Sequence, residues 1–309
     1  MTIYFAKINL ISDHIYKVYN DELKMRDILL NVLINFNSDL HWEEEYTYIG
    51  EDGAQHTNTI SYSVYIKNKT DSIIRGRLDK ESKLFYKEKN PLTNELESKS
   101  ISNTDAIEFY FDVFSEMVGY NTSNRFGHKK FLKVFSEILN QASLKGQQNY
   151  LFEVNRYTNG INMDNLYKEL KNIKNIQKLL FSFKPVNPDT DTLMSIQNNG
   201  LDKLEEFEEA NLSSKSILLT SASKLGLNID SKVITETIEE ANSLHRDIPI
   251  ERATRNGYVK IEAIGRDGIT RSTEDRAPVK KSIKRMAEFE KACQEVINIK
   301  IGYSLNIED

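Results

Sequence analysis

A strict alternation of side chains between residues 41 and 86 constrains the fold more than any other feature of this sequence. Alternate residues share one face of a strand. The two runs that do so are Trp42, Glu44, Tyr46 and Tyr48, and Ile60, Tyr62, Val64 and Ile66. Glycine and asparagine turn signals at 50–53 and 68–71 separate the runs. The pattern therefore predicts an antiparallel meander.

The flanking segments predict further strands and helices. A β-rich start at 3–10 precedes a helix that Asn20 would cap, and the polar stretch 87–103 has the composition of an exposed loop. Apolar spacing from Ile107 onward predicts strand, hairpin and helix. A strand at 150–157, a helix at 164–173 and a strand at 176–183 follow.

Beyond Pro185 the composition becomes helical, with predicted helices at 201–209, 214–225 and 231–244. Asp267-Gly268 then signals a β-hairpin, and a helix is expected at 281–297. The expected fold class is α+β, with a mixed or antiparallel sheet in the first half, a helical middle segment and a C-terminal β-hairpin plus helix. The expected domains are 1–184 and 185–309.

Composition excludes several classes of protein. Cys293 is the only cysteine, so the chain forms no internal disulfide and no multi-cysteine zinc site. No apolar run reaches the roughly 18 residues that a membrane span needs. A cytoplasmic location without a membrane span is therefore expected. Phosphate loops, dinucleotide fingerprints and nucleophile elbows are absent from the sequence, so no cofactor is expected.

Three acids are candidates for catalysis. Glu108 and Asp112 share one face of their strand, and Glu153 lies on a later strand that would have to neighbour it. If they converged, they would hold magnesium for a metal-dependent nuclease. However, Asn155 stands where that class of nuclease expects lysine, so solvent-facing acids are the favoured interpretation.

Two other groups suggest ligand binding. Arg125 and His128 lie where a helix begins and would hold a phosphate there together with the helix N-terminus. A surface arginine and a first-turn histidine are the favoured interpretation, because helix starts greatly outnumber anion sites. Aromatic residues of the meander would form either a base-stacking platform or part of the core, and core packing is favoured because Glu43, Glu44 and Glu45 repel phosphate. These aromatic residues are Trp42, Tyr46, Tyr48, Tyr62 and Tyr65.

The charge distribution is uneven near the C-terminus. Residues 188–245 contain 11 acidic and 4 basic residues, whereas residues 246–285 contain 11 basic and 6 acidic ones. The basic segment is a candidate nucleic-acid surface, because arginine favours bidentate phosphate contacts. Its equal alternative is pairing with the protein's own acids, within one chain or between subunits. The candidate residues are Arg252, Arg255, Lys260, Arg266, Arg271, Arg276, Lys280 and Lys281.

Two stretches, 107–140 and 256–283, resemble an uncharacterised bacterial domain-of-unknown-function family often encoded near phage-defence or prophage genes. The resemblance lies in a strand pair leading to an amphipathic helix and in a late hairpin with a glycine-rich turn. It implies a component of antiviral defence. The leading hypothesis is binding of nucleic acid or a partner protein through the basic hairpin, in a homo-oligomer or hetero-complex. A metal-dependent nuclease and a structural self-associating subunit are the alternatives.

Overall fold

The computed structural model describes residues 1–49, 53–92, 94–187, 206–243 and 248–305. The strands are β1 Thr2–Leu10, β2 His41–Ile49, β3 Gln55–Lys69, β4 Ile73–Lys89, β5 Leu96–Asp112, β6 Met117–Tyr120, β7 Phe152–Arg156, β8 Ile176–Phe183, β9 Lys215–Thr220, β10 Val259–Gly265, β11 Thr270–Ser272 and β12 Lys280–Ser282. The α-helices are α1 His14–Tyr19, α2 Met25–Asn35, α3 His128–Lys145, α4 Met163–Asn172, α5 Lys232–Ser243, α6 Ile250–Arg255 and α7 Phe289–Leu305.

The strands form two sheets with antiparallel pairing. The larger has eight strands in the order β12-β1-β6-β5-β4-β3-β2, and β7 also pairs with β1. The smaller has the order β11-β10-β8-β9. Antiparallel pairing follows from the alternating pattern and the short turns that join consecutive strands. The predicted mixture of helices with a large antiparallel sheet is therefore confirmed.

Both faces of the larger sheet are covered where β1, β5 and β6 meet. On one face α2 and α3 pack in a core centred on Phe135, whose ring centroid lies 5.3–5.7 Å from four other phenylalanine rings. On the opposite face α7 buries Phe289 and Cys293 against Phe5 and Tyr110. A Cβ atom at Gly119 would lie 2.6 Å from the Cys293 Sγ, so glycine lets α7 approach β6 closely.

The only thiol of the chain, on Cys293 of α7, is buried between the helix and the sheet, and this burial predicts low reactivity. Burial raises the pKa of Cys293 well above its ordinary value, which keeps the thiol protonated. We expect Ellman's reagent to leave the native protein unmodified and to titrate one thiol per chain in denaturant. Rapid labelling of the folded chain would show that α7 leaves the sheet on the time scale of the assay.

The structure corrects four sequence predictions. Residues 87–103 are largely strand, because β4 and β5 pair without interruption from Ile73↔Asp112 to Lys89↔Leu96. Residues 214–225 contain β9 instead of a helix, since its backbone pairs with β8. Asn20 follows α1 as its C-cap instead of starting a helix. The last helix begins at Phe289, because Lys280–Ser282 pairs with β1 as β12.

Three further predictions concern the domain division, the helices of the middle segment and the membrane. The division into 1–184 and 185–309 stays a prediction, and strand pairing crosses it, since β8 pairs with β10 and β1 with β12. The predicted helix at 201–209 lies partly outside the described residues, while α5 matches the predicted helix at 231–244. Among the described helices, none is both long and apolar enough to cross a bilayer.

Candidate functional site

The structure does not bring the three candidate catalytic acids together. Both Glu108 carboxylate oxygens accept hydrogen bonds from Lys67 at 2.6 Å, and Asp112 Oδ1 accepts one from the Ser115 backbone at 3.1 Å. Glu153 forms an ion pair with Lys184. Strands β6 and β1 lie between β5 and β7, which separates Asp112 from Glu153 by about 14 Å across the sheet. In the described part of the chain, no group of His, Cys, Asp and Glu is arranged to hold a metal ion.

Most of the candidate nucleic-acid residues pair with nearby acids. The ion pairs are Arg255–Glu251 at 2.9 Å, Lys260–Glu274 at 2.9 Å, Arg271–Asp267 at 2.8 Å, Lys281–Glu295 at 3.3 Å and Arg276–Glu169. Arg252 also has interactions within the chain. Arg266 and Lys280 are exposed and form no ion pair with another described residue. Local neutralisation therefore leaves few of these cations available for phosphate.

The two candidate anion-binding residues point in different directions. The exposed Arg125 side chain reaches Asn103 at 3.4 Å, whereas His128 Nδ1 lies 3.2 Å from the Tyr120 hydroxyl. The cation near His128 is Arg156 of β7. Burial lowers the pKa of His128 and the Arg156 charge lowers it further, so the imidazole is mainly neutral at pH 7. Sequence reasoning missed Arg156, because only the pairing of β7 with β1 places it near His128.

The aromatic residues of the meander divide into two groups. Trp42 and Tyr62 contribute to the core, with ring centroids 5.4 Å apart. Tyr46 and Tyr48 are 40% and 37% exposed, and Tyr65 is also exposed. Tyr48 stacks on His56 at 5.5 Å and meets Phe85 edge-on at 5.8 Å. We call Tyr46, Tyr48, His56 and Phe85 the aromatic patch.

The aromatic patch adjoins the outer edge of β2, which is the last strand of the larger sheet. The β2 register with β3 is unbroken from His41↔Ser63 to Ile49↔Gln55. No other described strand pairs with its outer edge. Glu43 and Glu45 project from the face opposite Tyr46 and Tyr48, because alternate residues point to opposite faces. Lys130 and Lys133 neutralise the intervening Glu44.

A buried polar network lies beside the turn between β5 and β6. Lys7 Nζ lies 2.6 Å from Glu116 Oε2, and these side chains are 16% and 9% exposed. Asn187 Nδ2 donates to Glu116 at 3.0 Å, while Asn187 Oδ1 accepts from the Leu10 backbone at 2.9 Å. The network ties β1 to the chain that follows β8.

Comparison with known proteins assigns the chain to a family. No curated protein matches the chain. A family model described as Domain of unknown function (DUF4747) matches residues 52–301, which include β3 through most of α7 and leave β1 and β2 outside. Because the match covers more than half of the sequence, the chain belongs to this family of unknown function.

Proposed function

We propose that this chain is a non-catalytic binding protein that takes up a basic, extended segment of a partner protein along the edge of β2. The partner segment adds to the larger sheet as a further antiparallel or parallel strand. The observation that carries the proposal is the open, regular edge of β2, nine residues long, beside the aromatic patch.

An open edge of this kind is available for main-chain hydrogen bonding. Proteins usually protect edge strands with charged side chains, proline, a bulge or short length. β2 has no proline and no bulge, and its only protecting charges are Glu43, Glu44 and Glu45, which oppose an acidic strand but not a basic one. Addition of a partner strand to an exposed edge is a recurring mode of peptide recognition, in which the backbone supplies affinity and alternate side chains supply specificity.

The side chains of β2 favour a basic partner over a second copy of β2. If two β2 strands paired symmetrically, Glu43 and Glu45 would face the same acids of the other copy, which is unfavourable. Lysine or arginine in the added strand would instead meet opposite charge. On the other face, the alternate residues of the added strand would be apolar and would cover Tyr46 and Tyr48.

The same features favour a protein partner over nucleic acid. Three consecutive glutamates adjoin the exposed tyrosines, and the whole chain carries a net charge of −5. The basic hairpin contributes little, since most of its cations pair locally. A hetero-complex is therefore the assembly we propose. Antiviral defence and a cytoplasmic setting are part of the proposal, and the first is supported by the family resemblance alone.

The proposal predicts charge-dependent binding at β2. The probe is a peptide of the length of β2 that alternates lysine and valine, titrated calorimetrically into the protein at low salt. Glu43→Lys with Glu45→Lys should weaken binding about tenfold or more, because two attractions become repulsions. Glu236→Lys with Glu239→Lys, on the exposed face of α5, is the matched control and should leave the affinity nearly unchanged.

Backbone pairing is tested separately from charge. Hydrogen exchange should show the peptide slowing amides of β2 but not those of β9, the edge strand of the smaller sheet. Equal loss of affinity in both charge-reversal variants would show nonspecific attraction and remove β2 from the proposal. Tighter binding of single-stranded DNA than of the peptide would favour the nucleic-acid alternative.

A further inference from the structure

A second site is formed where α3 begins above the larger sheet. The register pairs Tyr4 with Tyr120 on one side and with Lys280 on the other, and it pairs Ala6 with Arg156. Directly paired residues share a sheet face, and so do residues two apart on one strand. All these side chains therefore project from the face on which α3 packs.

His128 contacts this face at the start of α3. Its ring centroid lies 4.1 Å from that of Tyr4 and 5.9 Å from that of Tyr120. Lys280 and Arg156 occupy the same side of β1, two residues apart in register, which places their Cα atoms about 7 Å apart. The register thus places two cationic residues beside Tyr4, on the sheet face that the His128 ring contacts.

The positive charge at this site exceeds its local compensation. Arg156 is 14% exposed and donates from Nη1 to Asp275 at 3.1 Å. The guanidinium also hydrogen-bonds the Tyr120 side chain, while its buried Nε–H has no hydrogen-bond partner among the described residues. Lys280 forms no ion pair with another described residue, and Lys129 is exposed nearby in the first turn of α3. Among the described residues, Arg156 therefore pairs with one acid and Lys280 with none.

The start of α3 adds hydrogen-bond donors in the same place. Gly127 occupies the N-cap position and has no side chain to accept a hydrogen bond from the first turn, which contains no acidic residue. The helix is 18 residues long, so its N-terminal end carries a substantial partial positive charge. Tyr120 is fully buried beneath this group of residues.

We propose that His128, Arg156 and Lys280 form a binding site for the phosphate group of a small-molecule phosphomonoester. Arg156 provides a planar donor for the phosphate oxygens, Lys280 provides charge from the exposed side, and His128 donates an N–H. The site lies away from β2 and does not depend on the proposed partner binding.

The test uses inorganic phosphate and 5′-AMP as probes, titrated into the full chain at constant ionic strength. Wild-type protein should bind at least one of them saturably, and the signals of His128 should shift in NMR spectra. Arg156→Gln and Lys280→Gln should each weaken binding about tenfold or more, the usual loss for a charge-assisted hydrogen bond. Arg125→Gln is the matched control and should leave the affinity within about twofold.

The outcomes distinguish a phosphomonoester ligand from free phosphate, and they also show whether the proposal fails. Tighter binding of AMP identifies a phosphomonoester ligand, whereas preference for inorganic phosphate identifies the free ion at the same site. Because Lys280 is exposed, its variant should fold even if Arg156→Gln does not, and circular dichroism checks both. The proposal is overturned if wild type binds neither probe, or if Arg125→Gln weakens binding as much as Lys280→Gln.

Discussion

Truncation of Phe135 to alanine is expected to lower the free energy of unfolding by about 3–5 kcal/mol. This ring is fully buried and lies within 5.7 Å, between centroids, of Phe36, Phe109, Phe111 and Phe131. Its removal leaves a cavity where α2, α3 and β5 meet, because surrounding side chains relax only partly. Urea denaturation monitored by circular dichroism measures the change.

Leu144→Ala is the matched control for this prediction. Leu144 lies on the same helix but is largely exposed, so its truncation should change the free energy of unfolding by less than about 0.5 kcal/mol. Similar losses in both variants would contradict a dominant role of the aromatic core, since alanine is the best helix former and neither truncation lowers helix propensity. A small loss at Phe135 alone would contradict the packing described for α3.

Removal of either charge from the Lys7–Glu116 pair should destabilise the fold by about 3–5 kcal/mol. Glu116→Ala leaves the Lys7 ammonium largely buried with only the Ser115 carbonyl, at 3.2 Å, as an acceptor. It also removes one of the two acceptors of the Asn187 amide, and the Ile8 carbonyl remains as the other. Lys7→Met leaves the opposite charge without its cation. Both losses should appear as lower urea midpoints at pH 7.

The double variant Lys7→Met with Glu116→Leu distinguishes pairing from simple loss of contacts. Because no uncompensated charge remains, it should recover much of the stability lost in each single variant. Exposed ion pairs such as Lys99–Glu88 should show almost no coupling in the same thermodynamic cycle. Strictly additive losses at Lys7 and Glu116 would show that their charges do not interact in solution.

The sequence predicted elements whose periodicity is visible along the chain. The meander, α3 and β8 were predicted because buried faces impose a period of two or of 3.6 residues. Residues 87–103 were misassigned because a strand pair exposed on both faces has no apolar alternation, and only the backbone pairing of β4 with β5 reveals it. Residues 214–225 were misassigned since β9 depends on β8 for its pairing.

The binding surfaces were harder to predict because they depend on strand order. Glu43, Glu44 and Glu45 were recognised, but nothing in the sequence places β2 at the edge of a sheet. Local spacing paired His128 with Arg125, whereas the register of β1 with β7 brings Arg156 to that position. The exposed tyrosines were assigned to the core, since alternation shows a shared face but not what covers it.

The pairing of β1 has a consequence for folding during synthesis. One edge of β1 pairs with β7 and β12, so its partners are translated long after residues 2–10. Until then the apolar stretch Ile3–Leu10 has no strand on that side, and contacts of this sequence separation form slowly. A nascent chain therefore exposes a strand edge prone to association for most of its translation. Chaperone binding to this stretch, with release after residue 282 emerges from the ribosome, is the expected result.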